Sequence, residues 1–316
     1  MKIKCIGFSV TGYGDPSYSV ALSDLFKENG TDVNVSYSSV GGLSIDALPY
    51  MLPFMVHEGE ADLVVLEITT SWFSLVRKNI QEAIYYIQLI LGYFENIETN
   101  IIFLNLYRKD IDDFDIVRQA IDQLAHDNYT IIDMKAQYRN RAIEVGDGTN
   151  DGVHPNAETI NQIARILHHT ISSKSFVSKN IVRDFDVGML SLVTPANLDY
   201  SFDSRHGLII KSKILIANEE INFEFNDEQK ITGIFYLMGP DSSSVSLHLN
   251  EEEVTVPMYD EMSFYRRIGY RYLGTRLVKK IKLVSLADRS DVKLVRDPWE
   301  KVETIKNYII GFSCGG

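Results

Sequence analysis

"KIKCIGFSVTGYGDPSYSVALSDLFKENG" (Lys2–Gly30) opens with a short apolar run, passes through a glycine-bearing turn and ends in a longer stretch closed by Asn-Gly. Lys2–Phe8 reads as a strand. Asp15–Gly30 reads as a helix, with Asp15 as N-cap, Pro16 in the first turn and Gly30 as the stop. A strand that feeds directly into a helix is half of a βαβ unit, and the pattern recurs downstream. "DVNVSY" (Asp32–Tyr37), "ADLVVLEI" (Ala61–Ile68), "TNIIFLNLY" (Thr99–Tyr107) and "YTIIDM" (Tyr129–Met134) read as four more strands. Helical stretches are expected near Ile45–Glu58, Arg77–Asn96, Phe114–His126 and Ala157–Thr170. This alternation predicts an α/β fold around a parallel sheet of about five strands.

Beyond about Ser172 the texture changes. "HGLIIKSKILIA", "INFEFND", "KITGIFYLMGPDSSSVSLHLN", "EEVTVPMY" and "VKKIKLVSL" are short runs with period-two alternation, rich in β-branched and aromatic residues and separated by turns. They predict an all-β sandwich. The expected organisation is therefore two domains, 1–174 and 175–316, as a chain of 316 residues suggests on length alone.

The composition, 45% hydrophobic and 23% charged, is that of a folded globular protein. With 31 Lys+Arg against 43 Asp+Glu the net charge is −12, which argues against nucleic acid or an anionic membrane as partner. "AIYYIQLILGYF" (Ala83–Phe94) is too short to span a bilayer and reads as a buried helix. The start of the chain lacks a secretory pattern, so the cytoplasm is the expected compartment. Cys5 and Cys314 lie at opposite ends, one in a strand and one in a glycine-rich tail, and are expected to be free thiols.

In an open parallel sheet ligands bind beyond the carboxyl ends of the strands. Ser9 follows the first strand among Gly7, Gly12 and Gly14; it is placed either as a nucleophile or as an ordinary turn residue. Gly41 and Gly42 follow the second strand, where they supply either a backbone N–H for an oxyanion or a plain turn. Thr69, Thr70 and Ser71 follow the third strand with their hydroxyls, and Glu67 is either a partly buried, hydrogen-bonded acid or a support for that loop. Asp151 and His154 stand three apart just before a helix. A carboxylate there can hold one imidazole nitrogen and leave the other free to take a proton from a hydroxyl; the alternative is a capping acid beside a surface histidine. All four groups fall at one rim of the expected sheet.

With "GFS" near the start and "DGVHP" (Asp151–Pro155) meeting D-x-x-H-P in full, the first half resembles the SGNH/GDSL hydrolases. The resemblance implies a three-layer α/β/α, flavodoxin-like domain with Ser9 as nucleophile, His154 as base and Asp151 as its orienting acid. The oxyanion hole it implies is formed by Ser9, Gly42 and Ser71, with Gly41 and Thr70 as alternatives to the last two. Two departures stand out. Phe8 takes the place of the family's aspartate, and "EITTSW" takes the place of its G-x-N-D block, so Ser71 or Thr70 occupies the asparagine's position. Loss of an oxyanion donor typically lowers rates by roughly a hundredfold or more. The second half, through "GIFYLMGPDSSSVSLHLN" and "SFYRRIGYRYL", resembles sandwich domains, jelly-roll-like, attached to SGNH proteins of bacterial surface-polysaccharide pathways. The tyrosines and arginines of "FYRRIGYRY" suggest a sugar-stacking surface, or else outward arginines on ordinary strands.

The expected activity is that of a serine esterase removing O-acyl, above all O-acetyl, groups from a carbohydrate or polysaccharide. An O-acetyltransferase using the same triad is the first alternative, and a glycan-binding module with a weakened site the second. No metal or organic cofactor is expected, save an acetyl donor such as acetyl-CoA in the transferase case.

Overall fold

The computed structural model describes residues 1–70, 79–106, 116–125, 129–134, 150–174, 191–204, 208–289, 291–299 and 301–315. The chain divides into two compact units, Met1–Val187 with Arg205–Leu208, and Gly188–Ser204 with Ile209–Gly316. The joint anticipated at 174/175 borders residues 175–190, which lie outside the described residues.

In the first unit β1 (Lys2–Gly7), β2 (Asn34–Ser39), β3 (Leu63–Glu67), β4 (Asn100–Asn105) and β5 (Thr130–Asp133) form one parallel sheet in the order β2-β1-β3-β4-β5. In this doubly wound order the sheet grows in opposite directions from β1, so a crevice opens where the exits of β1 and β3 diverge. Strands buried on both faces carry apolar residues at nearly every position. β3, "LVVLE", is accordingly buried throughout.

One face of the sheet, with Ile3, Cys5, Leu63, Val65, Ile102 and Leu104, packs against α1 (Tyr18–Glu28) and α5 (Ala157–Ser173). Those helices contribute Tyr18, Leu22, Phe26, Ile163 and Leu167 at helical spacing. On the other side α2 (Leu48–Met55) packs on α3 (Ile80–Asn96), and α3 on α4 (Ile116–Ala125). Among the described residues no helix is long and apolar enough to cross a membrane.

The five expected strands and the helices between them are present, with shifted ends. α1 begins at Tyr18 with Ser17 in the N-cap position, not at Asp15. Ser17 and Ser19 share a hydroxyl–hydroxyl hydrogen bond of 2.8 Å that occupies the capping side chain. The stop falls at Gly30 as expected: with φ +67° it closes a paired-bond motif in which Gly30 N–H donates to Lys27 O and Thr31 N–H to Phe26 O. The predicted ends at Arg77, Phe114 and His126 lie outside the described residues.

The second unit is an eight-stranded antiparallel sheet, ordered β11-β10-β12-β9-β13-β8-β7, with β6 (Ser191–Val193) paired to β13. Its members are β7 (Tyr200–Ser204), β8 (Leu208–Ile216), β9 (Glu220–Met238), β10 (Ser244–Leu249), β11 (Glu252–Pro257), β12 (Arg267–Ser285) and β13 (Lys306–Cys314). "INFEFND" and "KITGIFYLM" form one 19-residue strand, not two. Between the pairs Val278↔Gln229 and Lys280↔Glu224 the register slips, leaving the exposed Asn226–Glu228 in a bulge. A bulge bends and twists its strand, so a single hydrogen-bonded sheet can close over its own core. Phe223, before the bulge, meets Phe312, the register partner of Ile234 after it, edge to face at 5.2 Å. Cys314 is the other correction: it ends β13 and is 3% exposed, part of the core and not of a loose tail. The flanking glycines hid a strand that is buried at every position after its first.

Candidate active site

Ser9 begins a 3-10 turn, Ser9–Gly12, directly beyond β1. Thr11 N–H donates to Phe8 O at 3.1 Å and Tyr13 N–H to Val10 O at 3.2 Å, which fixes the turn. Val40 N–H donates to Gly7 O at 3.1 Å, so the chain leaving β2 runs alongside that leaving β1. Gly41 thereby comes close to Ser9: a Cβ added to it would lie 3.7 Å from Ser9 Cβ. Gly42, at φ +76°, turns the chain through a conformation that other residues rarely adopt.

The acid–base pair comes from the turn before α5. Asn156 caps that helix by accepting Thr159 N–H at 2.9 Å, and Gly152, at φ +85°, lets the preceding chain fold tightly. Asp151 Oδ1 accepts the N–H groups of Val153 (3.0 Å) and His154 (2.7 Å). Asp151 Oδ2 lies 2.7 Å from His154 Nδ1, which leaves Nε2 facing Ser9 Oγ at 3.1 Å. Burial raises the Asp151 carboxyl somewhat, but the three donors, led by His154 N–H, outweigh it and hold the group below its ordinary range. An ionised Asp151 is an acceptor for Nδ1–H, so Nε2 is the nitrogen left bare toward the serine.

The Tyr13 ring stacks on His154, centroids 4.2 Å apart and planes inclined by 29°. Nothing in the sequence signalled this contact. It arises because the 3-10 turn carries Tyr13 around to the imidazole while Ser9 approaches from the other direction.

Beneath the turn lies Glu67, fully buried at the end of β3. Its carboxylate accepts Thr70 N–H at 2.8 Å, Thr70 Oγ1–H at 2.7 Å and Thr69 Oγ1–H at 3.3 Å, and the nearby Phe8 N–H also favours its charged form. Burial pushes its pKa up, and these donors offset part of the rise. The N–H and hydroxyl of Thr70, anticipated as an alternative oxyanion donor, thus point to Glu67. Ser71 lies outside the described residues. The sequence did hold a signal for Glu67: an acid closing an apolar strand is buried, and it requires donors.

In the second unit the expected sugar-stacking stretch divides. Arg266 is only 9% exposed; it donates to Asp241 Oδ1 at 2.9 Å and lies 4.3 Å from the Tyr308 ring centroid, while Tyr308 donates to Asp241 Oδ2 at 2.6 Å. It belongs to an interior ion pair and not to a surface platform; Arg271 and Tyr272 are the exposed members. Among the described residues no three His, Cys, Asp or Glu side chains converge as metal ligands.

No protein-family profile matches the sequence, and no curated protein does. Among solved structures, a two-domain esterase (CEX) active on acetylated mannans is similar over 100% of this chain and 91% of its own, with TM-score 0.70 and 12% identity. The same enzyme co-crystallized with mannopentaose gives 0.67 at 12% identity, covering 100% and 90%. A GDSL-like lipase from Parabacteroides merdae matches 55% of this chain and 96% of its own at TM-score 0.47 and 15% identity. At these identities the likeness speaks to architecture. The chain therefore shares the fold of that two-domain esterase: a parallel 2-1-3-4-5 α/β domain followed by a β-sandwich.

Proposed function

We propose that this protein is a serine-dependent ester hydrolase that removes O-acetyl groups from a carbohydrate. The observation that carries the reading is the Ser9–His154–Asp151 relay, with distances of 3.1 and 2.7 Å between residues 145 and 3 positions apart. His154 Nε2 takes the proton from Ser9 Oγ as the oxygen attacks the ester carbonyl, and Asp151 stabilises the imidazolium. The backbone N–H groups of Ser9 and Gly42, with Gly41 as the alternative to Gly42, receive the negative charge on the carbonyl oxygen. Collapse of the tetrahedral species releases the sugar hydroxyl, protonated by His154, and leaves an acetyl ester on Ser9. Water, deprotonated by His154, then releases acetate and restores the serine.

The carbohydrate assignment draws on the two-domain esterase active on acetylated mannans, whose fold spans the whole chain. The test is acetate release from aryl acetates and acetylated oligosaccharides, beside Ser9→Ala. Equal rates in the two proteins refute the reading. Acetyl transfer to an added oligosaccharide, detected by mass spectrometry, would instead favour the transferase that shares this first step.

A further inference from the structure

Gly7 and Glu67 are register partners across β1 and β3, at the point where the two strands part. A Cβ on Gly7 would lie 2.3 Å from Thr11 Oγ1, 2.5 Å from Glu67 O and 3.1 Å from Glu67 Cβ. The missing side chain is therefore what allows the Glu67 side chain to lie beneath the Ser9 turn. From there one carboxylate faces both diverging strands: it accepts Thr70 N–H and Oγ1–H on the loop beyond β3, and on the β1 side the Phe8 N–H, next to the nucleophile, favours its charged form. Thr69 extends the hub to a third strand, since its Oγ1 also accepts Leu106 N–H at 2.9 Å, one residue past β4. An unmet buried N–H costs about 1–3 kcal/mol, and one buried carboxylate meets several.

We propose that Glu67 is a positioning residue of the Ser9 hydrolase: its carboxylate ties the nucleophile turn to the loop beyond β3, holding Ser9 Oγ and the Ser9 N–H in reacting register. The inference rests on the hydrolase reading. It predicts an effect on turnover more than on substrate capture, because the side chain is fully buried and touches no substrate. Displacement of reacting groups by about an ångström lowers rates by up to about a hundredfold.

Glu67→Gln keeps the shape and turns one acceptor into a donor facing N–H and O–H groups. It is expected to lower kcat by about ten- to a hundredfold with KM changed by less than about threefold. Thr70→Val, which removes one hydroxyl donor, is expected to lower kcat by a smaller factor, and Thr70→Ser to restore it; a purely structural role would not yield that rescue at equal thermal midpoints. A folded Glu67→Gln protein with wild-type kcat, alongside an inactive Ser9→Ala, overturns the positioning role and leaves the hydrolase intact. If Glu67→Gln does not fold, wild-type kcat in Thr70→Val overturns it. Undiminished turnover in Ser9→Ala removes the hydrolase reading, and the role of Glu67 with it.

Discussion

Replacing Asp46 with asparagine should change how stability depends on pH. Asp46 lies in the turn before α2, 4% exposed, and its Oδ1 has no hydrogen-bond partner among the described residues. Burial raises its pKa from 3.8 to about 6; the N–H groups of Asp46 and Ala47 offset part of the rise, and the charge of Glu82 adds to it. A folded-state value above the unfolded one means that the unfolded chain gives up its proton more readily. Stability from this group is thus full below pH 3.8 and is lost as pH rises toward 6. The rise corresponds to about 3 kcal/mol in all, of which about 2 kcal/mol falls between about pH 4 and pH 7. The amide of Asp46→Asn has no such proton to lose. Urea unfolding of both proteins at about pH 4, 5, 6 and 7 should therefore show the variant gaining about 2 kcal/mol on the wild type across that range, whatever constant offset the amide introduces. Parallel stability curves would mean that Asp46 is solvated or paired in solution, and the argument from burial would fail.

Other outcomes follow from the same geometry. His154→Ala should lower kcat by roughly 10³-fold or more, and Asp151→Asn by roughly as much, because the amide no longer selects the Nδ1–H tautomer; burst kinetics with an aryl acetate will separate acylation from deacylation. Tyr13→Ala, losing a ring contact of about 0.5–1.5 kcal/mol, should lower kcat/KM about two- to tenfold, whereas Tyr13→Phe keeps the stack and should stay near wild type. Gly7→Ala should destabilise by about 1–3 kcal/mol or more, since the new methyl meets backbone at 2.5 Å; urea unfolding reads this directly. Arg266→Ala leaves Asp241 buried without its cation and should reduce stability by about 3–5 kcal/mol in a thermal melt.

The architecture of the first unit was legible because its signals are local and repeated. Apolar runs of strand length, helices of period 3.6 and stops such as Gly30 each depend on neighbours a few residues away, and together they imply a parallel sheet. Asp151 and His154 were legible for the same reason: three residues apart before a capped helix, they meet through a single turn. The α1 start was misread because Asp15 and Ser17 both carry capping side chains, and only the path of the chain selects between them. The 19-residue β9 was read as two strands because its polar middle looks like a turn, whereas in the folded chain those residues occupy a bulge whose pairing with β12 resumes on both sides.

What the amino-acid order determined by itself was the alternation of strands and helices, the switch to an all-β second half, and the kinds of side chain delivered to the sheet's carboxyl rim. Tertiary structure alone decided their partners. That Ser9 meets His154 across 145 positions, that Tyr13 covers the imidazole, that Thr70 turns to Glu67, and that Arg266 lies inside and not on a surface all depend on which strands become neighbours. Strand order is set by the burial of the whole sheet, and no short window of sequence contains that information.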